Sequence, residues 1–202
     1  MNYKLIIYLN TNLTTLDYMI IVHDWDHPYP GKKDALKRSF KLFVYVLSRY
    51  IPILKPFCAD VYEEHKKWVD IYNELEKLQK VKAIYGIRPE AKKEFDKFIK
   101  KLEKDQDVRL HLHLWDENDR KIFKSKVGNL PDTRNAVVWI PKLKGKDLVL
   151  PHEKIDFMDR PNTNLEQLKK LDKDAIVVFH PDYKDKSFLL YLKFLNYLKR
   201  KR

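Results

Sequence analysis

Residues 108–115 read VRLHLHLW and alternate strictly between apolar and polar positions. A period of two cannot sit as a helix, so this segment demands a strand with Val108, Leu110, Leu112 and Leu114 on one face. Arg109, His111, His113 and Trp115 then share the other face. One face belongs on a core and the other does not. Twice the strand rise puts the two histidines ~7 Å apart along that polar face, a spacing at which both imidazoles can turn toward one divalent cation. An ordinary strand with solvated histidines shows the same pattern.

The rest of the chain supplies partners for this strand. YKLIIYL at residues 3–9 and YMIIVH at 18–23 are short β-rich runs across a polar connector and suggest paired strands. After DWDHPYPG, Asp34 can cap a helix in which Leu36, Phe40, Phe43, Val44 and Leu47 recur at helical spacing until Pro52. A second helix is expected over Ala59 to Lys80 with Val61, Trp68, Ile71, Leu75 and Leu78 inward, and Pro89 opens a third with Phe95, Phe98, Ile99 and Leu102 inward. Residues 108–115 and 120–127 suggest a hairpin around DEND. VVWI, DLVL and AIVVF read as further strands, LEQLKKL as a short helix, and KSFLLYLKFLNYLKRKR as a closing helix burying Phe188, Leu189, Leu192, Leu195 and Tyr197. The expected class is α+β, one domain over residues 1–202, with a mostly antiparallel sheet flanked by helices and a helical block at about 34–104.

Charge narrows the partner. Forty-one Lys and Arg against 29 Asp and Glu leave a formal +12 over 202 residues, which suits nucleic acid or an acidic membrane surface. The same enrichment also marks chains that must survive heat. Lys193, Lys199, Arg200, Lys201 and Arg202 lie beside Tyr191 and Tyr197 on the closing helix, so phosphate contacts and base stacking are both available there. A single cysteine, Cys58, excludes an internal disulfide framework and a multi-cysteine zinc site. No run approaches the ~20 apolar residues that a bilayer crossing requires, and the expectation is a soluble chain of the cytoplasm, of a cell or of a virus or plasmid within one. The four glycines stand alone, so a phosphate-cradling loop is not present.

A second polar cluster, HDWDH, follows the apolar run at 18–22. His23, Asp24 and Asp26 crowd where a strand would end, and two carboxylates one residue apart suit Mg²⁺ or Mn²⁺. Should this strand lie near VRLHLHLW, then His23, Asp24 or Asp26 would join His111 and His113 in a mixed imidazole and carboxylate site.

LHLHLW followed by a polar turn and DRKIFKSK resembles the metal-binding motif of the HUH endonucleases, the replication initiators and relaxases that nick single-stranded DNA. The resemblance implies that His111 and His113 hold a divalent cation (Mn²⁺ or Mg²⁺), that Asp24, Asp26 or His23 completes the shell, and that a tyrosine attacks the phosphorus. Tyr183, Tyr191 and Tyr197 are the candidates for that nucleophile. Two other functions fit the residues: a non-catalytic module of a virus or plasmid that binds nucleic acid or a protein, and a metal-dependent glycosyltransferase or nucleotidyltransferase using the Asp24 and Asp26 pair.

Overall fold

The computed structural model describes residues 19–25, 40–48, 50–89, 91, 95–131, 135–141, 148–160, 162–181 and 184–201. The expected strand at 3–9, the Asp34 cap, Asp26, Tyr183 and Arg202 lie outside the described residues. In chain order the elements are β1 (Ile20–Trp25), α1 (Phe40–Ser48), a 3-10 segment (Pro52–Cys58), α2 (Ala59–Gln79), β2 (Ile84–Ile87), α3 (Asp96–Leu102), β3 (Asp107–His113) and α4 (Glu117–Lys126). There follow β4 (Ala136–Pro141), β5 (Leu148–Pro151), β6 (Phe157–Met158), α5 (Leu165–Lys169), β7 (Ile176–Phe179) and α6 (Lys184–Lys201).

The α+β class is observed, and strands from both sides of the helical block join one sheet in the order β5-β4-β3-β2-β1-β7-β6. Its sense departs from expectation: the sheet is mixed. β1 pairs in parallel with β2 and β7, β2 with β3, and β6 with β7, while only β3 with β4 and β4 with β5 run antiparallel. The physical reason lies in the connections. Helices between β1 and β2, β2 and β3, and β6 and β7 carry the chain back to the starting edge, which is what parallel neighbours require. Central parallel strands are covered on both faces, and IIV of β1 and IVVF of β7 are accordingly continuous apolar runs.

The expected hairpin around DEND is instead a helix. Asp116 accepts from the backbone N–H groups of Asn118 and Asp119 and so caps α4, whose buried side is Asp119 and Phe123, four residues apart. The inward stripe of α2 is wider than expected: Trp68 and Leu75 pack against the core as the spacing predicts, and Val61 against a smaller one. Val69, Tyr72, Asn73 and Glu76 are buried, whereas Leu78 is 81% exposed.

The sheet has two unlike faces. Ile21, Trp25, Tyr85, Val177 and Phe179 pack with α2, α3 and α6 on the outer one, and α4 covers Leu112, Ala136 and Val138 farther along it. Val22, Val137, Trp139, Leu150 and Val178 form a second core on the inner face. Strand spacing would hold β4 and β1 ~14 Å apart in a flat sheet, yet Trp139 of β4 hydrogen-bonds Asp24 of β1 at 2.7 Å. Contact across that span requires curling toward the inner face, and the sheet is indeed a half-barrel.

Candidate metal centre

Parallel strands deliver their carboxyl ends to one rim of the half-barrel, the position where open α/β sheets and barrels collect functional side chains. The β1–β2 and β2–β3 registers pair Asp24 with Gly86 and Gly86 with Arg109, so His111 and His113 lie one and two side-chain steps farther toward that rim. The alternation of β3 aims both imidazoles at the inner face. Their Nε2 atoms meet at 2.7 Å with the rings at 90°.

Each imidazole is braced. His111 is fully buried and stacks on Trp139 with ring centroids 5.4 Å apart, while its Nδ1 lies 3.6 Å from Asp24 Oδ1. That oxygen accepts from the Trp139 indole N–H, which fixes the carboxylate behind the imidazole. Gly86 makes this contact possible, because a Cβ there would come within 2.7 Å of Asp24 Oδ1 and of Trp139 Nε1. His113 stacks on Trp115 at 4.4 Å and 14°. Its backbone N–H donates to Asp119 Oδ2 at 2.7 Å, and Arg88, immediately after β2, grips the same carboxylate with both guanidinium nitrogens. Burial pushes the Asp119 carboxyl above the usual carboxylate range, and the His113 N–H and Arg88 pull it the other way. α4 is thereby clamped to the rim at the histidine that needs positioning.

No protein-family model, curated protein or solved structure matches the chain. What the site can do therefore follows from its geometry.

The structure brings together His111, His113 and Asp24, with Asp24 on the Nδ1 side of His111 and not beside the two Nε2 atoms. At 3.6 Å the carboxylate is a charged neighbour of that nitrogen, longer than a hydrogen bond. Among the described residues no group of three or more His, Cys, Asp or Glu is arranged to hold a metal.

His23 does not join the cluster. It follows the alternation of β1 to the outer face, where its Nε2 lies 2.5 Å from Glu76 Oε1 and tyrosines 72, 85 and 191 surround it. Tyr191 is fully buried on that same outer face, donating to Glu76 at 2.6 Å, and its hydroxyl is held well above the usual tyrosine range by desolvation first and the Glu76 charge second. A sheet separates it from the two histidines, so it cannot attack a group held there. Tyr197 lies six residues farther down α6 under Lys201, whose Nζ is 4.8 Å from the ring centroid. α6 runs away from the rim: Ser187 bonds Asp159 beyond β6, whereas Leu195, Leu198 and Lys199 line a cavity with Val81, ahead of β2. Lys199, Arg200 and Lys201 thus lie ~18 Å or more along the helix from its rim end, and Lys193 is exposed midway.

Sequence reasoning missed Trp139, Gly86, Arg88 and Asp119, none of which has a motif. His180 follows Phe179, the register partner of His23, as Asp24 follows His23. His180 Nδ1 lies 2.5 Å from Asp159 Oδ1, so a second buried carboxylate and imidazole pair stands at the same rim.

Proposed function

We propose that the chain is a divalent-metal-dependent hydrolase of a polyanionic substrate, with the cation held by Nε2 of His111 and His113. The observation that carries this reading is the convergence of the two Nε2 atoms, 2.7 Å apart at the carboxyl ends of parallel strands. On one tetrahedral ion two imidazole nitrogens sit ~3.3 Å apart, so about half an ångström of opening accommodates a cation. Imidazole donors favour Zn²⁺ over Mn²⁺ or Mg²⁺. When bound, the cation supplies Lewis-acid polarisation of the scissile phosphoryl or acyl oxygen.

The protein residues supply placement. Asp24 and Trp139 orient His111 for its Nε2 to coordinate, and Asp119 with Arg88 holds the backbone of His113. This keeps the metal half of the likeness to nicking endonucleases and takes water as the nucleophile, since Tyr191 and Tyr197 lie away from the pair and Tyr183 lies outside the described residues. The formal +12 charge favours an anionic substrate.

The test is calorimetric titration of Zn²⁺ and Mn²⁺ into the wild type and the His111→Ala/His113→Ala variant, followed by hydrolysis of bis(p-nitrophenyl) phosphate with each metal. Binding and turnover confined to the wild type, with a cooperative melt in both proteins, are expected. Equal binding in both would remove the metal centre from this site. Wild-type binding without turnover would leave a metal site that is not hydrolytic toward phosphodiesters.

A further inference from the structure

The apolar surface of the molecule is unevenly spread. Of the nine large hydrophobic residues that stand exposed among the described ones, five fall on one short stretch: Phe40, Tyr50, Ile51, Ile53 and Phe57. Phe40, Ile53 and Phe57 are 73%, 77% and 72% exposed. Apolar residues scattered singly over a surface are ordinary, but a cluster of them marks a surface that meets something. The stretch already has a core of its own, in which Tyr45, Val46 and Cys58 pack with Phe43 and Val61. Its outward residues are therefore additional to what its packing needs.

Its position follows from α2. That helix returns the chain from the carboxyl end of β1 to the start of β2, which runs parallel to β1, so the first residues of α2 lie at the rim end of the sheet. Trp68 meets Phe188 in the first turns of α6, and Ala59 precedes Trp68 by ~13 Å of helix. The 3-10 segment and α1 thus stand on a projection beyond the helical layer, at the end of the sheet that holds His111 and His113. Pro52 and Pro56 flank Ile53 and stiffen the segment. The charge of the stretch is of one sign. From Ala35 to Ala59 the sequence carries Lys37, Arg38, Lys41, Arg49 and Lys55 and no Asp or Glu, and only then comes Asp60, which pairs with Lys41. A second copy of this chain would set these cations against their own kind. Exposed aromatic and aliphatic tips among Lys and Arg are instead the composition that settles into the headgroup layer of an anionic bilayer.

We propose that the arm formed by α1 and the 3-10 segment docks the protein on an anionic membrane surface, with Phe40, Ile53 and Phe57 entering the headgroup layer and the cations of the same stretch meeting the lipid charges. The mode is peripheral, since no helix among the described residues is long and apolar enough to cross a bilayer. Docking goes beyond the hydrolase reading and needs no cation at His111 and His113. Its geometric consequence is that the rim of the sheet faces the headgroups.

The experiment is co-sedimentation of the full chain, in EDTA, with vesicles of phosphatidylcholine alone or with about a third phosphatidylserine, alongside light scattering of the protein without lipid. The wild type should partition onto the phosphatidylserine vesicles on the order of 10-fold more strongly than onto phosphatidylcholine, and added NaCl should weaken that binding. Ile53→Ser/Phe57→Ser keeps every charge and should lower the partitioning on the order of 10-fold, with Tm unchanged because both side chains are exposed. Absent binding to the phosphatidylserine vesicles would overturn the proposal and leave the patch to a protein partner. Equal binding to both kinds of vesicle would overturn the anionic surface, and binding that the serine variant retains in full would assign adsorption to the overall +12 charge and not to the arm. A wild-type dimer that the variant converts to a monomer, without vesicle binding by either, would give the patch to a second copy. Because metal is excluded throughout, each of these results leaves the reading of His111 and His113 to its own test.

Discussion

His23 and Asp24 are neighbours on one strand, and they belong to two different kinds of polar cluster. On the outer face His23 meets Glu76, which also accepts from Tyr85 at 2.7 Å, Gln106 at 3.0 Å and Tyr191 at 2.6 Å. Four partners on two oxygens saturate a buried carboxylate, and a closed network of this sort fixes a core without offering anything to a ligand. On the inner face Trp139 donates to Asp24, whose carboxylate lies 3.6 Å from His111 Nδ1, and His111 and His113 bring their Nε2 atoms together at one point. Saturation marks structure here, and convergence marks a site. The residue types alone would not have separated them.

The sharpest way to break this contrast is to remove the centre of each cluster. Glu76→Ala leaves two tyrosine hydroxyls, an amide and an imidazole buried without their acceptor, at about 1–3 kcal/mol each. That is most of the roughly 5–15 kcal/mol a domain has, so near-UV circular dichroism should show no cooperative transition. His111→Ala/His113→Ala removes ring volume that is fully buried at His111 and half-buried at His113 but orphans fewer groups, and its melt should remain cooperative with a loss of about 3 kcal/mol or less. The reverse order of damage would mean that the inner cluster is the structural one.

A smaller effect is expected at Gly86. A methyl group there collides with Asp24 Oδ1 and the Trp139 indole, and because β-sheet backbone and a buried indole both resist movement, Gly86→Ala should cost about 1–3 kcal/mol. Trp139→Phe shortens the side chain and removes the N–H at the point of collision. The double variant should therefore be closer in Tm to Trp139→Phe alone than Gly86→Ala is to wild type. Additive losses would show that the glycine serves some purpose other than making room for the Trp139 to Asp24 bond.

Much of the architecture was legible because it depends on local period. α2 was expected over Ala59 to Lys80 and spans Ala59–Gln79, and the apolar run AIVVF contains β7. The misreadings share a physical cause: each depends on what lies across the sheet. Parallel sense follows from where crossovers deliver a strand, which no window of residues encodes. On α2 Trp68 and Leu75 pack on the core as the count expects, but Asn73 and Glu76 are buried as well, polar groups that a hydrophobic count sends to solvent. On α6 the same count favoured Leu189, which is 51% exposed, over Ser187 and Tyr191, which are buried. At the site, alternation alone put His111 and His113 side by side, and the apolar run before Asp24 placed it at a strand end. Trp139 and Gly86 acquire their roles only when β4 curls over β3 and β2 to reach β1.

The smallest effect tests the seal of the outer cluster. Tyr85 and Tyr191 are held well above the ordinary tyrosine value of 10.0, first by desolvation and next by the Glu76 charge. The folded state therefore keeps two protons that the unfolded chain releases near pH 10. A group whose folded value is raised contributes its full stability below the unfolded value and loses it as pH rises toward the folded one, so stability should decline above about pH 10 by ~1.4 kcal/mol per pH unit for each retained proton. Of twelve tyrosines, these two should ionise at 295 nm only together with loss of near-UV signal. Tyr85→Phe should be about 1 kcal/mol less stable at pH 7, through the lost bond to Glu76, yet its decline above pH 10 should be shallower by one proton. If both hydroxyls titrate near pH 10 with the fold intact, water reaches Glu76. The outer and the inner cluster would then differ in degree and not in kind.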